Sequence, residues 1–144
     1  MFIYLAYRVD TDAINEVIAI SKYFEHDDDS TILYMTYGIP KKRFDRSGRY
    51  IDTYIDRRRN LYIVNEADIT SDMNGNSINV ADVKLKSDIG LGFYGDEEEI
   101  DYIILQNYDS RGQRKLLNVE PIPELCGKHY TVYKNLNPSV LQFE

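Results

Sequence analysis

Apolar and polar positions follow two rhythms along this chain. Residues 2–9, FIYLAYRV, are almost continuously apolar and β-favouring, which predicts a strand buried on both faces. A helical rhythm follows. Thr11 or Asp10 can cap it, and Asp12 falls in the first turn, where negative charge suits the dipole. Ala13, Ile14, Val17, Ile18, Ser21 and Phe24 lie on or near one face, leaving Asn15, Glu16 and Lys22 for water. The spacing predicts one main helix over 12–24. TILYMTYGI at 31–39 predicts a second core strand, ended by Gly38 and Pro40.

The middle fits two periods. In RYIDTYIDRRR, Tyr50, Ile51, Tyr54 and Ile55 share a helical face, and strict alternation fits nearly as well, so 41–59 stays open between helix, strand and loop. Residues 61–70 and 77–85 flank Asn74-Gly75, whose tolerance of positive φ predicts a tight hairpin. A second hairpin is expected from 100–108 and 113–122 through Asp109, Ser110, Arg111 and Gly112. KHYTVYKNL at 128–136 predicts a last strand before Pro138. No repeat, linker tract or low-complexity segment interrupts the pattern. The expected fold is a single α+β domain over 1–144, with a mainly antiparallel sheet of about six to eight strands.

Composition narrows the class. In 144 residues, 43% hydrophobic and 28% charged content is globular rather than disordered. The single cysteine, Cys126, excludes an internal disulfide framework and a Cys-based zinc site, and fits a reducing cytoplasm. No apolar run approaches the roughly 18 residues of a membrane span, and MFIYLAYRV lacks the basic start of a signal peptide, so no membrane partner is expected.

Net charge changes the picture more. The total of -7 conceals a separation of signs. Residues 41–59 carry eight basic side chains against three acidic ones, +5 in nineteen residues, whereas the remainder holds nine basic and 21 acidic, or -12. Lys41, Lys42, Arg43, Arg46, Arg49, Arg57, Arg58 and Arg59 supply forks and point charges for phosphate oxygens, and Tyr50 and Tyr54 can stack a base. The acidic remainder repels long polyanions and argues against duplex DNA. A nucleotide, a cyclic oligonucleotide or a short nucleic-acid end is the expected ligand. The bland alternative is a solvated edge, or arginines paired with the protein's own acids within the chain or across a homo-oligomer.

Two acidic clusters stand apart from that segment: Glu25, Asp27, Asp28 and Asp29 after the helix, and Asp96, Glu97, Glu98, Glu99 and Asp101 before a strand. Neither has EF-hand spacing, so they read as exposed loop acids, with no metal or cofactor expected. Thirteen tyrosines without tryptophan supply the aromatic share of core and surface alike. Tyr4, Tyr34 and Tyr102 belong to the core by pattern; Tyr50, Tyr54, Tyr94 and Tyr108 suit a contact surface. An acidic, Tyr-rich surface also suits a protein–protein inhibitor of a host factor. The small size and the Asp, Asn, Ile and Tyr bias fit a phage or viral accessory protein acting in the host cytoplasm against host defence.

Few side chains carry chemistry. His26 lies in the polar turn EHDDD. In KHYTVY, alternation places His129, Thr131 and Tyr133 on one strand face, where His and Thr can both reach one phosphate. Cys126 near His129 reads as a small buried sulfur rather than a nucleophile. Glycine-rich phosphate loops, G-x-S-x-G and H-E-x-x-H are missing; Gly90 and Gly92 in IGLGFYG do not make a phosphate loop.

The apolar strand 2–9, the helix, Asp29-Ser30-Thr31-Ile32-Leu33-Tyr34 and His129-Tyr130-Thr131-Val132-Tyr133 together resemble 2H phosphoesterases, which carry two His-x-Thr/Ser motifs on strands and include phage enzymes that degrade cyclic oligonucleotide signals. Asp29 stands at the first histidine position. The resemblance therefore implies a non-catalytic, binding-only relative that keeps His129, Thr131 and Thr31 as ligand contacts. The catalytic alternative, a phosphodiesterase, needs His129 and Thr131.

Overall fold

The computed structural model describes residues 11–27, 29–36, 61–71, 73, 75–83, 85–87, 94–95, 98–107 and 115–144. The expected strand 2–9, residues 89–93 of the IGLGFYG run and the whole of 41–59 lie outside them.

Helix α1 (Thr11–Tyr23) forms where the apolar spacing placed it, with Asp12 in its first turn and Lys22 in its last. Its buried stripe is Ala13, Val17, Ile20 and Phe24. Ile14, Ile18 and Ser21 are half-buried, so the stripe lies further round than the sequence grouping, through Ile20. At about 1.5–3 kcal/mol per fully buried large side chain, Val17, Ile20 and Phe24 outweigh the roughly 1 kcal/mol of a cap. Docking holds this helix more than its ends do.

Ten strands follow among the described residues, in two sheets. The main sheet orders β5 (Tyr94–Gly95), β4 (Leu85–Ser87), β2 (Leu61–Asn65), β1 (Ile32–Thr36), β6 (Tyr102–Gln106), β9 (Tyr130–Asn135) and β8 (Val119–Cys126). The small sheet orders β3 (Ser77–Asn79), β10 (Val140–Phe143) and β7 (Leu116–Leu117). The α+β class is as expected, with seven strands in the main sheet and most ladders antiparallel. Its centre is parallel: β1 runs alongside β2 on one side and β6 on the other. Their near-continuous apolar sequences agree with burial on both faces.

Alternation then builds three layers. Ile32, Tyr34, Leu61, Ile104, Tyr130 and Val132 point to the face that α1 covers. Leu33, Met35, Tyr62, Val64, Ile103 and Leu105 point to the other, under the small sheet and a short helix α2 (Glu66–Thr70).

Neither expected hairpin forms. Residues 66–70 are helical, β2 pairs with β1 and β4, and β3 joins β10 in the small sheet. Gly75 does adopt φ +78°, so the local turn chemistry holds while the strand partners differ. Likewise β6 pairs with β1 and β9. Asn118, at φ 59°, separates β7 in the small sheet from β8 in the main sheet, and β8 pairs with β9. Asparagine tolerates this left-handed conformation, which turns the chain from one layer to the next. After β9, described as Tyr130–Asn135, β10 adds a strand beyond Pro138 that the sequence pattern did not mark.

Candidate functional site

Because β1, β2 and β6 are parallel, their carboxyl ends share one end of the sheet, where β8 ends and β9 begins. The strand order also diverges here, toward β2 on one side of β1 and toward β6 on the other. In open α/β sheets such a divergence at strand carboxyl ends is where ligands bind.

His129 and Thr131 stand at this end. Thr131 pairs with Leu105, and its hydroxyl lies 3.0 Å from Asn107 Oδ1, the acceptor. Asn107 N–H donates to the His129 carbonyl at 2.8 Å, and its Nδ2 donates to the Gly127 carbonyl at 2.8 Å. One asparagine thus fastens β6 to the β8–β9 turn. His129 sits in that turn, one residue before β9; it is half-buried, with Nε2 enclosed. Burial first, and the Cys126 thiol second, push the Tyr133 hydroxyl above its ordinary pKa.

From the opposite face, α1 sends Glu16 to the same turn. Its carboxylate accepts the His129 N–H at 2.9 and 3.2 Å and the Tyr130 N–H at 3.1 Å. The sequence pattern assigned Glu16 to water; it is half-buried, and the docking of α1 onto the sheet directs it to the turn. Gly127 makes the approach possible, since a Cβ there would overlap the Glu16 carboxylate. Glu16 and Gly127 also line a cavity of about 220 Å³ with Asn15, Ala19, Glu124 and Cys126 among its walls. Cys126 is exposed rather than buried, and its thiol donates to the Ile122 carbonyl at 3.3 Å. A bulge in β8, between Pro121 and Cys126, accompanies this outward placement.

Thr31 does not join His129. It is buried, its N–H donates to Asp101 Oδ2 at 2.9 Å, and its carbonyl accepts the Asp101 and Tyr102 N–H groups. Asp101 in turn accepts the Asn135 N–H. Thr31 is therefore level with Asn135, six residues from His129, or roughly 20 Å at the usual rise per strand residue.

That amino end of the parallel strands holds the tyrosines and acids. Tyr23, Phe24 and Tyr102 meet edge-on, at centroid distances of 5.0, 6.3 and 4.9 Å. Tyr34 is core, as expected; Tyr102 is half-buried at the margin of the core, and Tyr23 is 42% exposed. Burial, then Tyr23, Asp27 and Asp101, raise the Tyr102 hydroxyl pKa. The loop acids are partly structural. Asp27 accepts the Ser30 hydroxyl at 2.6 Å, the Ser30 N–H at 3.1 Å and the Asp29 N–H at 3.3 Å, closing the turn after α1. Glu98 and Glu99 are exposed. His26 is also exposed and pairs with Glu25 at 3.0 Å.

The cationic residues Lys41, Lys42, Arg43, Arg46, Arg49, Arg57, Arg58 and Arg59, with Tyr50 and Tyr54, lie outside the described residues. Their flanks do not: the chain leaves β1 at Thr36, at the carboxyl end, and re-enters at Leu61, at the amino end.

Asn107, Glu16 and Gly127 went unmarked in the sequence. Gly127 just before the KHYTVY strand was the available signal, and the other two needed the strand register and the helix docking. Among the described residues, no helix is long and apolar enough to cross a membrane, and no group of three His, Cys, Asp or Glu is gathered for a metal. Compared with protein-family models, curated proteins and solved structures, the chain matches none.

Proposed function

We propose that this protein is a non-catalytic binding protein that captures a phosphate-bearing ligand, a nucleotide, a cyclic oligonucleotide or a short nucleic-acid end, through the cationic 41–59 segment. The observation that carries this reading is the segregation of charge, +5 in 41–59 against -12 elsewhere. An anion attracted to that segment is repelled by the remaining surface, which favours small ligands over duplexes. The two flanks differ: Thr36, ahead of Lys41, stands at the end of the sheet where the strand order diverges and where His129, Thr131 and Asn107 lie, and Leu61, after Arg59, stands at the other end.

Titration of nucleotides, cyclic dinucleotides and short oligonucleotides at about 150 mM and about 500 mM salt tests the reading through its expected salt dependence. Saturable binding that weakens with salt is the expected result; indifference to every ligand at low salt rejects it. Reversing Arg57, Arg58 and Arg59 to Glu abolishes binding with the fold intact. Reversing Lys41, Lys42 and Arg43 instead tells which flank, near Thr36 or near Leu61, holds the phosphate.

A second reading, an inhibitor that docks on a basic protein partner of the host, draws on the exposed Tyr23 ring beside Tyr102, Asp27 and Asp101. Stoichiometric recovery of a protein partner, unchanged by the Arg57, Arg58 and Arg59 reversals and lost in Tyr23→Ala, would favour it. A phosphodiesterase reading requires turnover that His129→Ala removes.

A further inference from the structure

The β8–β9 turn aims two successive backbone N–H groups, those of His129 and Tyr130, at one carboxylate. Adjacent amides converging on one point form a concavity suited to an anion. This concavity has supports other than Glu16. Asn107 Nδ2 donates to the Gly127 carbonyl, Asn107 N–H donates to the His129 carbonyl, and Gly127 N–H donates to the Tyr130 carbonyl, each at 2.8 Å. The β6–β9 ladder holds Tyr130 opposite Gln106. The donors are therefore pre-arranged from β6, whereas their occupant arrives from another element on a flexible side chain. The occupant also borders open space, because the cavity beside Glu16 reaches Gly127.

We propose that this turn is an anion-binding nest in which Glu16 is a tethered, resident competitor, and that a phosphate group of the ligand displaces Glu16 to take the His129 and Tyr130 N–H groups. This rests on the phosphate-ligand reading above and adds a second contact to it, built from backbone donors rather than arginines. Glu124, on the cavity wall, adds a like charge that opposes the incoming anion. The occupied nest sets a threshold: a ligand's apparent affinity is its intrinsic affinity multiplied by the fraction of time the site is free.

The test is the response of the His129 and Tyr130 amide resonances of the full chain to inorganic phosphate, at ionic strength matched with chloride. If Glu16 fills the nest about nine-tenths of the time, Glu16→Ala lowers the phosphate half-saturation roughly tenfold relative to the unaltered chain. Glu16→Gln, which keeps an acceptor oxygen without charge, gives a smaller gain. Gly127→Ala displaces the carboxylate without deleting it and gives a gain in the same direction, so the test survives a misfolded Glu16→Ala chain. Amides that ignore phosphate in folded Glu16→Ala and Gly127→Ala chains, or half-saturation unchanged from the unaltered chain, overturn the proposal and leave Glu16 a structural clamp. Failure of the two readings is distinguishable. Nucleotide binding that needs Arg57, Arg58 and Arg59 but leaves these amides unmoved rejects the nest alone. Phosphate at the nest with nucleotide binding indifferent to those arginines rejects the cationic segment alone.

Discussion

The two ends of the parallel strands use carboxylates in opposite ways. At the carboxyl end, Glu16 reaches across from α1 to backbone donors in a turn that Asn107 also holds. At the amino end, Asp27 is built into the turn it closes within its own loop, whereas Asp101, which precedes β6, accepts the Thr31 N–H before β1 and so joins two distant segments. A short-range acid is part of its loop, so removing it loosens the loop. On the nest proposal, the Glu16 carboxylate, brought from another element, leaves behind a formed site when it departs. The comparison separates acids that define local shape from an acid that occupies a shape others define.

The largest effect is expected at the amino end. Buried Asn135 donates to the Ile100 carbonyl at 3.0 Å and the Val140 carbonyl at 3.4 Å, joining β9 to the start of β10. Asn135→Ala leaves buried acceptors unsatisfied and should cost about 3 kcal/mol in urea unfolding. A loss within measurement error would show that water reaches these carbonyls. Next, Glu16→Ala removes a charge-assisted contact and should cost about 2 kcal/mol, with amide exchange quickened at His129 and Tyr130 while β6 and β9 stay protected. General loosening of β9 would erase the distinction between the ends.

Asp101→Ala should cost about 1 kcal/mol, since the Thr31 N–H is only partly buried and water can replace its acceptor. Exchange confined to residues near Thr31 would confirm the local role. The smallest effect concerns pH. Neutral Tyr102 is favoured in the folded chain, so its contribution to stability is intact below about pH 10 and is lost as pH rises through the higher folded value. Tyr23→Phe removes one of the lesser causes and should bring the Tyr102 transition in an ultraviolet titration down slightly, with burial still holding it above the ordinary value. A transition that returns fully to that value would show that Tyr23, not burial, dominates.

Much of the fold was legible where a segment's own pattern decides its state. Helix α1 follows from Ala13, Val17 and Phe24 at helical spacing, and β1 and β6 follow from largely apolar runs. Partnership was not legible. Asn74-Gly75 marked a turn, and Gly75 has the positive φ that such a turn needs, yet the strands around it belong to different sheets. Glu16 shows the same limit at the candidate site: its place on α1 put it toward solvent, and the docking angle of the helix put it on the β8–β9 turn.

By itself, the amino-acid order determined which stretches are apolar, where the main helix lies, and that positive charge is concentrated in 41–59 against an acidic remainder. These are properties of residues and their near neighbours. Only the tertiary structure decided that β1 lies parallel between β2 and β6, that Thr31 and His129 stand at opposite ends of the sheet, and that Asn107, Gly127 and Glu16 meet. Strand pairing and helix docking are settled by which distant apolar faces bury best together, and that competition leaves no mark in any single segment.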